Sequence, residues 1–157
     1  MLKQVNYSFL SDHPEFVPEL ASWYFQEWGH EVPDRTLAIE QKELEQTLEA
    51  GPLPLAMIAS YRGELAGAGQ LKWKEMAIYP EKEHWLGGII VKSAYRGQGI
   101  GQQLVEQLVG QAQALQIPTL WLQTEQLDGG LYARLGWQPL EVVTQHGVQV
   151  LVMERHL

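Results

Sequence analysis

The sequence predicts an α/β fold made of one domain over residues 1–157, and three observations carry that prediction. A strand, two helical patterns and a hairpin follow one another over the first half of the chain. An almost wholly apolar strand then leads through a glycine-rich loop into a long amphipathic helix. Finally, a chain of 157 residues that is 45% apolar has the length of one domain and enough apolar material for one sizeable core.

Taken in order, residues 3–9 alternate polar and apolar, as a half-buried strand does. Asp12 and Glu15 have capping-box spacing, with Pro14 in the first turn, where its missing N–H does no harm. Phe16, Val17, Leu20, Trp23, Tyr24 and Trp28 recur at helical spacing up to Gly29, read as the C-terminal stop. Asp34 is placed to cap a second helix carrying Leu37, Leu44 and Leu48 and ending at Gly51-Pro52. Residues 54–61 and 64–73 read as strands joined at Arg62-Gly63, a hairpin signal. Leu86–Val91 has the continuous apolar character of a strand in the middle of a sheet. Ile100, Leu104, Val105, Leu108, Val109, Ala112 and Leu115 line one face of the next helix, and Pro118 stops it. Residues 119–123 and 147–153 supply two further strands.

Composition removes several function classes. With no cysteine there is no disulfide scaffold, thiolate zinc site or cysteine nucleophile, and the redox compartment stays open. The histidines, at 13, 30, 84, 146 and 156, lack metal-ligand spacing, so no metal is expected. A net charge of −8 is a poor footprint for nucleic acid. No apolar run approaches the ~18 residues of a membrane helix, and the N-terminal residues lack a secretory signal's apolar stretch. The expectation is a cytoplasmic protein with no membrane partner, monomeric or homodimeric. Residues 10–50 hold ten acidic side chains against Arg35 and Lys42, which accounts for the whole net charge. That segment is either the solvated outer face of a helix pair or an acidic rim that draws in a cationic substrate.

The loop Arg96-Gly97-Gln98-Gly99-Ile100-Gly101 carries the chemistry. Glycines let a backbone adopt positive φ and approach a ligand closely, and amides at a helix N-terminus face an anion favourably. A P-loop is excluded because Gln102-Gln103 stands where Lys-Ser/Thr is required. The dinucleotide fingerprint fails too, since the glycines follow a G-x-G-x-G pattern rather than G-x-G-x-x-G.

What the stretch does resemble is the acetyl-CoA loop of the GNAT superfamily of N-acetyltransferases, Arg/Gln-x-x-Gly-x-Gly/Ala, matched by Arg96, Gly99 and Gly101. Residues 131–137 (Leu-Tyr-Ala-Arg-Leu-Gly-Trp) resemble the family's Y-x-x-x-G-F/W segment, and the order of elements is similar over nearly the whole chain. The resemblance implies a central mixed, mostly antiparallel sheet of about six to seven strands flanked by about four helices. It implies acetyl-CoA as cosubstrate, held by Ile89, Ile90 and Val91 along the pantetheine and by Arg96, Gly97, Gln98, Gly99, Ile100, Gly101 and Gln102 at the pyrophosphate. A backbone N–H near Ile90 would polarise the carbonyl. Tyr132 stands where family members place a general acid, and a phenol is protonated at neutral pH. Glu75, Glu83 and His84 precede the central strand, where relatives carry a base; Glu75 and Glu83 are the carboxylate candidates for it. Glu27, Trp28 and Glu31 border the expected cleft for an amine acceptor. The expected activity is direct transfer of acetyl from acetyl-CoA to a primary amine; the alternative is a catalytically silent acyl-CoA-binding module.

Overall fold

The hairpin at Arg62-Gly63 sets the frame of the sheet. In the computed structural model, which describes residues 4–157, both turn residues have left-handed backbones, with φ of 52° and 79°. That is the conformation a two-residue type I′ connection requires. It joins β2 (Leu55–Tyr61) to β3 (Glu64–Trp73) in antiparallel register. On one side β1 (Asn6–Phe9) pairs antiparallel with β2, and on the other β4 (His84–Val91) pairs antiparallel with β3. The expected first strand began at residue 3, which lies outside the described residues; within them it starts at Asn6.

After β4 the chain rises into α3, so numbered because α1 (Val17–Trp28) and α2 (Leu37–Glu45) precede it. Helix α3 (Ile100–Ala114) returns the chain to β5 (Thr119–Thr124), parallel to β4. A short helix, α4 (Gly130–Arg134), leads to a last hairpin of β6 (Gln138–Gln145) and β7 (Val148–His156). Strand β7 slots between β5 and β6, giving a seven-stranded mixed sheet of order β1-β2-β3-β4-β5-β7-β6. Among the described residues four α-helices flank it, as expected.

One face of the sheet packs on α3, whose Leu104, Val105, Leu108 and Ala112 are fully buried against Leu71, Leu86, Leu120 and Leu122. Truncating Leu108 to alanine there would cost about 2–5 kcal/mol. The opposite face packs on α1 and α2 through Leu20, Ala21, Tyr24 and Leu44 against Ile58, Leu65 and Ala68. Among the described residues no helix is long and apolar enough to cross a membrane.

Two local expectations are corrected, and one strand is new. The Asp12/Glu15 capping box does not form: residues 10–12 and 14–16 are separate 3-10 turns, and Phe16 precedes α1 without a side-chain cap. Gly29 is the C-cap of α1, as expected, with φ of −59°. It is small because a Cβ there would sit 2.4 Å from the Phe25 ring. Asp34 does not cap α2; Thr36 does, its hydroxyl accepting from the Ile39 amide at 3.1 Å. Strand β6 was not expected at all, and it lies at the sheet edge with its side chains mostly exposed, so it lacks the buried face that alternation reveals.

Candidate active site

Strand β4 is irregular where the site forms. Gln70 faces Gly87 and Ala68 faces Ile90, so Gly88 and Ile89 together oppose Gly69 in a bulge. Gly88 takes φ of 62°, which favours glycine, and its carbonyl accepts the Tyr24 hydroxyl at 2.7 Å. Strands β4 and β5 pair at Trp85 and Trp121 and are not registered beyond that point. A wedge therefore opens alongside the second half of β4. Ile89 and Val91 pack toward α3, and Ile90 packs toward α1, so the β4 main chain is what borders the wedge.

The wedge leads to the glycine loop. A 3-10 turn, Ser93–Tyr95, comes first, and then Gly97 and Gly99 adopt φ of 76° and 82°. Gly99 precedes α3 and has no side chain with which to cap it, so the amides of Ile100, Gly101 and Gln102 have no intrahelical acceptor. An anion there would meet those N–H groups and the positive end of the helix. Arg96 is exposed beside it, anchored by its Nε to the Val91 carbonyl at 3.1 Å. Gly101 differs from its neighbours. Its φ is not positive, and a Cβ would make ordinary contacts with Leu131 and Val91 at 3.6 and 3.7 Å. Ile100 is buried in the first turn of α3, Gln98 is half-buried, and Gln102 bonds Glu106 on the helix surface at 3.2 Å.

Tyr132 lies on α4, its ring edge-on to buried Trp137 with centroids 6.3 Å apart. Burial pushes its hydroxyl up to about 12, and the Glu75 carboxylate adds to the rise. Glu75 comes from the loop between β3 and β4. One of its oxygens accepts from the Lys72 ammonium at 3.0 Å, and the other is buried with no hydrogen-bond partner. It lies over the strand because residue 87 is glycine: a Cβ there would be 3.0 Å from the Glu75 carboxylate. Aromatic packing fixes the loop. The Lys82 ammonium stands 4.9 Å from the Tyr79 ring and 5.3 Å from the Trp121 ring, and Trp85 Nε1 donates to the Lys82 carbonyl at 2.7 Å.

The structure thus brings Glu75 into the field of Tyr132 but does not bring Glu83 or His84 there. Glu83 closes the base of the same loop through its main chain, its carbonyl accepting from the Lys74 amide at 2.7 Å. His84 packs edge-on against Trp73 at 5.3 Å, at the end of β4 away from the glycine loop.

Past α1, two of the three expected acceptor-side residues meet. Glu125, directly after β5, has its carboxyl held above the usual carboxylate range by burial and by neighbouring Glu31, while His30 and a hydrogen bond with Trp28 pull it the other way. Glu27 is exposed on α1 and takes no part in that group. Sequence reasoning missed Glu125, because a single carboxylate after a strand carries no spacing signal. Arg35 offsets part of the acidic segment, pairing with Glu40 and Glu43 at 2.6 Å each. Among the described residues no group of three or more His, Asp or Glu side chains is arranged to hold a metal.

Comparison with known proteins fits this geometry. The acetyltransferase (GNAT) family pattern matches residues 5–137. An aminoglycoside 6'-acetyltransferase type Ii superposes with a TM-score of 0.73 at 21% identity over 96% of each chain. An aminoglycoside 6'-N-acetyltransferase complexed with coenzyme A gives 0.72 at 19% identity, again over 96% of each chain. A Salmonella typhimurium protein described as an acetyltransferase with its cofactor acetyl-CoA gives 0.78 at 14% identity, over 99% of this chain and 95% of that one. At these identities the superpositions establish a shared fold. No curated protein matches the sequence.

Proposed function

The chain belongs to the GNAT family of acetyltransferases, and from that premise we propose that it transfers acetyl from acetyl-CoA to a primary amine by direct attack in a ternary complex. The observation that carries the reading is the wedge beside β4 leading to an uncapped, glycine-started helix. The pantetheine of acetyl-CoA lies along Ile89, Ile90 and Val91, and the pyrophosphate meets Arg96 and the amides from Gly97 to Gln102. Two similar structures are described with coenzyme A or acetyl-CoA, which supports that cosubstrate.

In the reaction the amine nitrogen attacks the thioester carbonyl, and a β4 main-chain N–H stabilises the charge that develops on oxygen. The carbon–sulfur bond breaks, and Tyr132 gives its proton to the departing thiolate. A hydroxyl held near 12 is fully protonated at neutral pH, which suits a donor. An amine with a pKa of ~10.4 must lose a proton before it attacks, and in this reading Glu75, whose second oxygen is buried without a hydrogen-bond partner, accepts it. Trp28, Glu31 and Glu125 border the acceptor, and the negative charge of the two glutamates favours an amine carrying a second positive charge. Two of the similar structures are aminoglycoside acetyltransferases, so a polycationic amine belongs in any test panel.

The test is thiol release from acetyl-CoA across monoamines, polyamines, aminoglycosides and peptide amines. The chain's lack of cysteine keeps its own thiol background low. The expected result is acceptor-dependent release with intersecting initial-velocity lines. Binding of acetyl-CoA with no release for any amine would leave a silent acyl-CoA-binding module.

A further inference from the structure

We infer that Tyr24, which touches neither loop nor leaving group, is a positioning residue for acetyl transfer: its hydroxyl fixes the Gly88–Ile89 peptide so that the Ile89 N–H is aimed at the acetyl carbonyl. The inference rests on the acetyl-CoA reading above and adds a residue to it.

The contact is specific. Tyr24 is 3% exposed on α1, and its hydroxyl reaches a carbonyl on β4, 64 residues along the chain, at 2.7 Å. Phenylalanine would fill the same apolar layer, so packing alone does not account for the hydroxyl. The side-chain amide of Gln70, itself buried on β3, lies beside the same hydroxyl. Donating to the Gly88 carbonyl at 2.7 Å, the hydroxyl is held to one orientation rather than a free rotor's several. The strand is shaped around that oxygen. A Cβ at residue 88 would lie 2.9 Å from the Tyr24 hydroxyl and 3.2 Å from the Gln70 amide nitrogen, and φ there is 62°.

Peptide geometry then transmits the contact. The carbonyl of Gly88 and the N–H of Ile89 are opposite ends of one planar, trans unit, so holding the oxygen toward α1 turns the N–H away from it. Gly88 and Ile89 are the two bulge residues that share Gly69 as their partner, where the ladder holds a peptide least firmly. The Tyr24 bond supplies the restraint the ladder lacks. The same helix face also carries Trp28, whose ring centroid is 5.9 Å from that of Tyr24 and which bonds Glu125. One helix therefore references both the acetyl-binding strand and the acceptor side.

The experiment compares the wild type with Tyr24→Phe, using Leu44→Val as a control that loosens the same helix layer without touching the hydroxyl. Three quantities are measured: kcat, the affinity for CoA lacking acetyl, and the 13C position of the carbonyl of bound [1-13C]acetyl-CoA without acceptor. In Tyr24→Phe, kcat is expected to fall about tenfold through misalignment of a donor that is still present. CoA affinity stays unchanged, and the bound carbonyl signal moves back toward its free position. Leu44→Val shifts neither kcat nor the carbonyl signal. A folded Tyr24→Phe with wild-type kcat and carbonyl signal overturns the inference, as does an equal change in Leu44→Val. If Tyr24→Phe does not fold, Gln70→Met removes the amide beside the hydroxyl and must shift the signal in the same direction; no shift overturns the inference. A wild-type carbonyl that does not move on binding counts instead against the acetyl-CoA reading beneath it.

Discussion

From Gly88 to Gly99 the proposed cosubstrate site is made of backbone with the Arg96 side chain beside it, set by glycines at positive φ and by a helix without a side-chain cap. Across the wedge, the groups are side chains delivered by four separate segments: Trp28 and Glu31 around the end of α1, Glu75 from a loop, Glu125 after β5 and Tyr132 on α4. The difference teaches how each region must respond to change. A backbone-made anion site depends on conformation, so most side-chain replacements leave it intact and glycine replacements do not. A side-chain site depends on single functional groups, so isosteric removal is enough to silence it.

The largest effect expected on the side-chain region is that of Tyr132→Phe, which keeps the ring beside Trp137 and removes only the hydroxyl proposed as the proton donor. Turnover falls by about 10²–10⁴-fold where chemistry limits, with acetyl-CoA affinity little changed, as steady-state rates and calorimetry would show. Stability gives a second readout with a definite sign. The folded state holds the Tyr132 proton up to about 12, whereas an unfolded tyrosine releases it near ~10. Between those values the folded state binds more protons, so this contribution is present below pH ~10 and is lost as pH rises through the folded value. Urea midpoints should therefore fall less steeply with alkali in Tyr132→Phe than in the wild type.

A smaller effect separates glycines within the backbone region. Gly99→Val forces a β-branched residue into φ of 82° and should weaken acetyl-CoA binding by about ten- to a hundredfold, the equivalent of a strain of ~1–3 kcal/mol. Gly101→Ala should bind nearly as well as the wild type, because its Cβ would meet only ordinary contacts. Equal losses at both positions, measured by calorimetry, would show that crowding rather than conformation governs the loop.

This contrast also explains what could be read in the sequence. The hairpin at Arg62-Gly63, the apolar strand through Val91 and the helix from Ile100 are contiguous patterns, and they stand where they were expected. The glycine loop is legible for the same reason, since backbone conformation is written in adjacent residues. The side-chain region is not local. Nothing near Glu125 in the sequence indicates that α1 brings Glu31 and Trp28 to it, and nothing distinguishes Glu75 from Glu83 before Gly87 is seen to admit one carboxylate over the strand. Thr36 displaced Asp34 as the α2 cap because Asp34 adopts φ of 61° in the preceding turn. Exposed β6 escaped detection because an edge strand with both sides wet has no period to show.

The smallest effect concerns charge at the acceptor side. Attraction between partly exposed groups weakens as the Debye length shortens from ~10 Å at 0.1 M salt to ~3 Å at 1 M. For a dicationic amine, kcat/KM should fall with ionic strength, and for a neutral monoamine analogue it should stay flat. Changing Glu31 or Glu125 to glutamine should reduce the slope, whereas Glu27→Gln, on the exposed side of α1, should leave it nearly as it was. A slope that responds to Glu27 as strongly as to Glu31 would make the whole acidic segment a diffuse field rather than a cleft feature.

Calorimetric titration of acetyl-CoA into a variant with Glu31, Glu75 and Glu125 all changed to glutamine, beside Gly99→Val, tests most directly the claim that the cosubstrate is held by backbone. The expected result is a triple variant that binds within about twofold of the wild type, as independent regions allow, while Gly99→Val alone loses affinity. A triple variant that loses as much affinity as Gly99→Val, or a Gly99→Val protein that binds like the wild type, would contradict it.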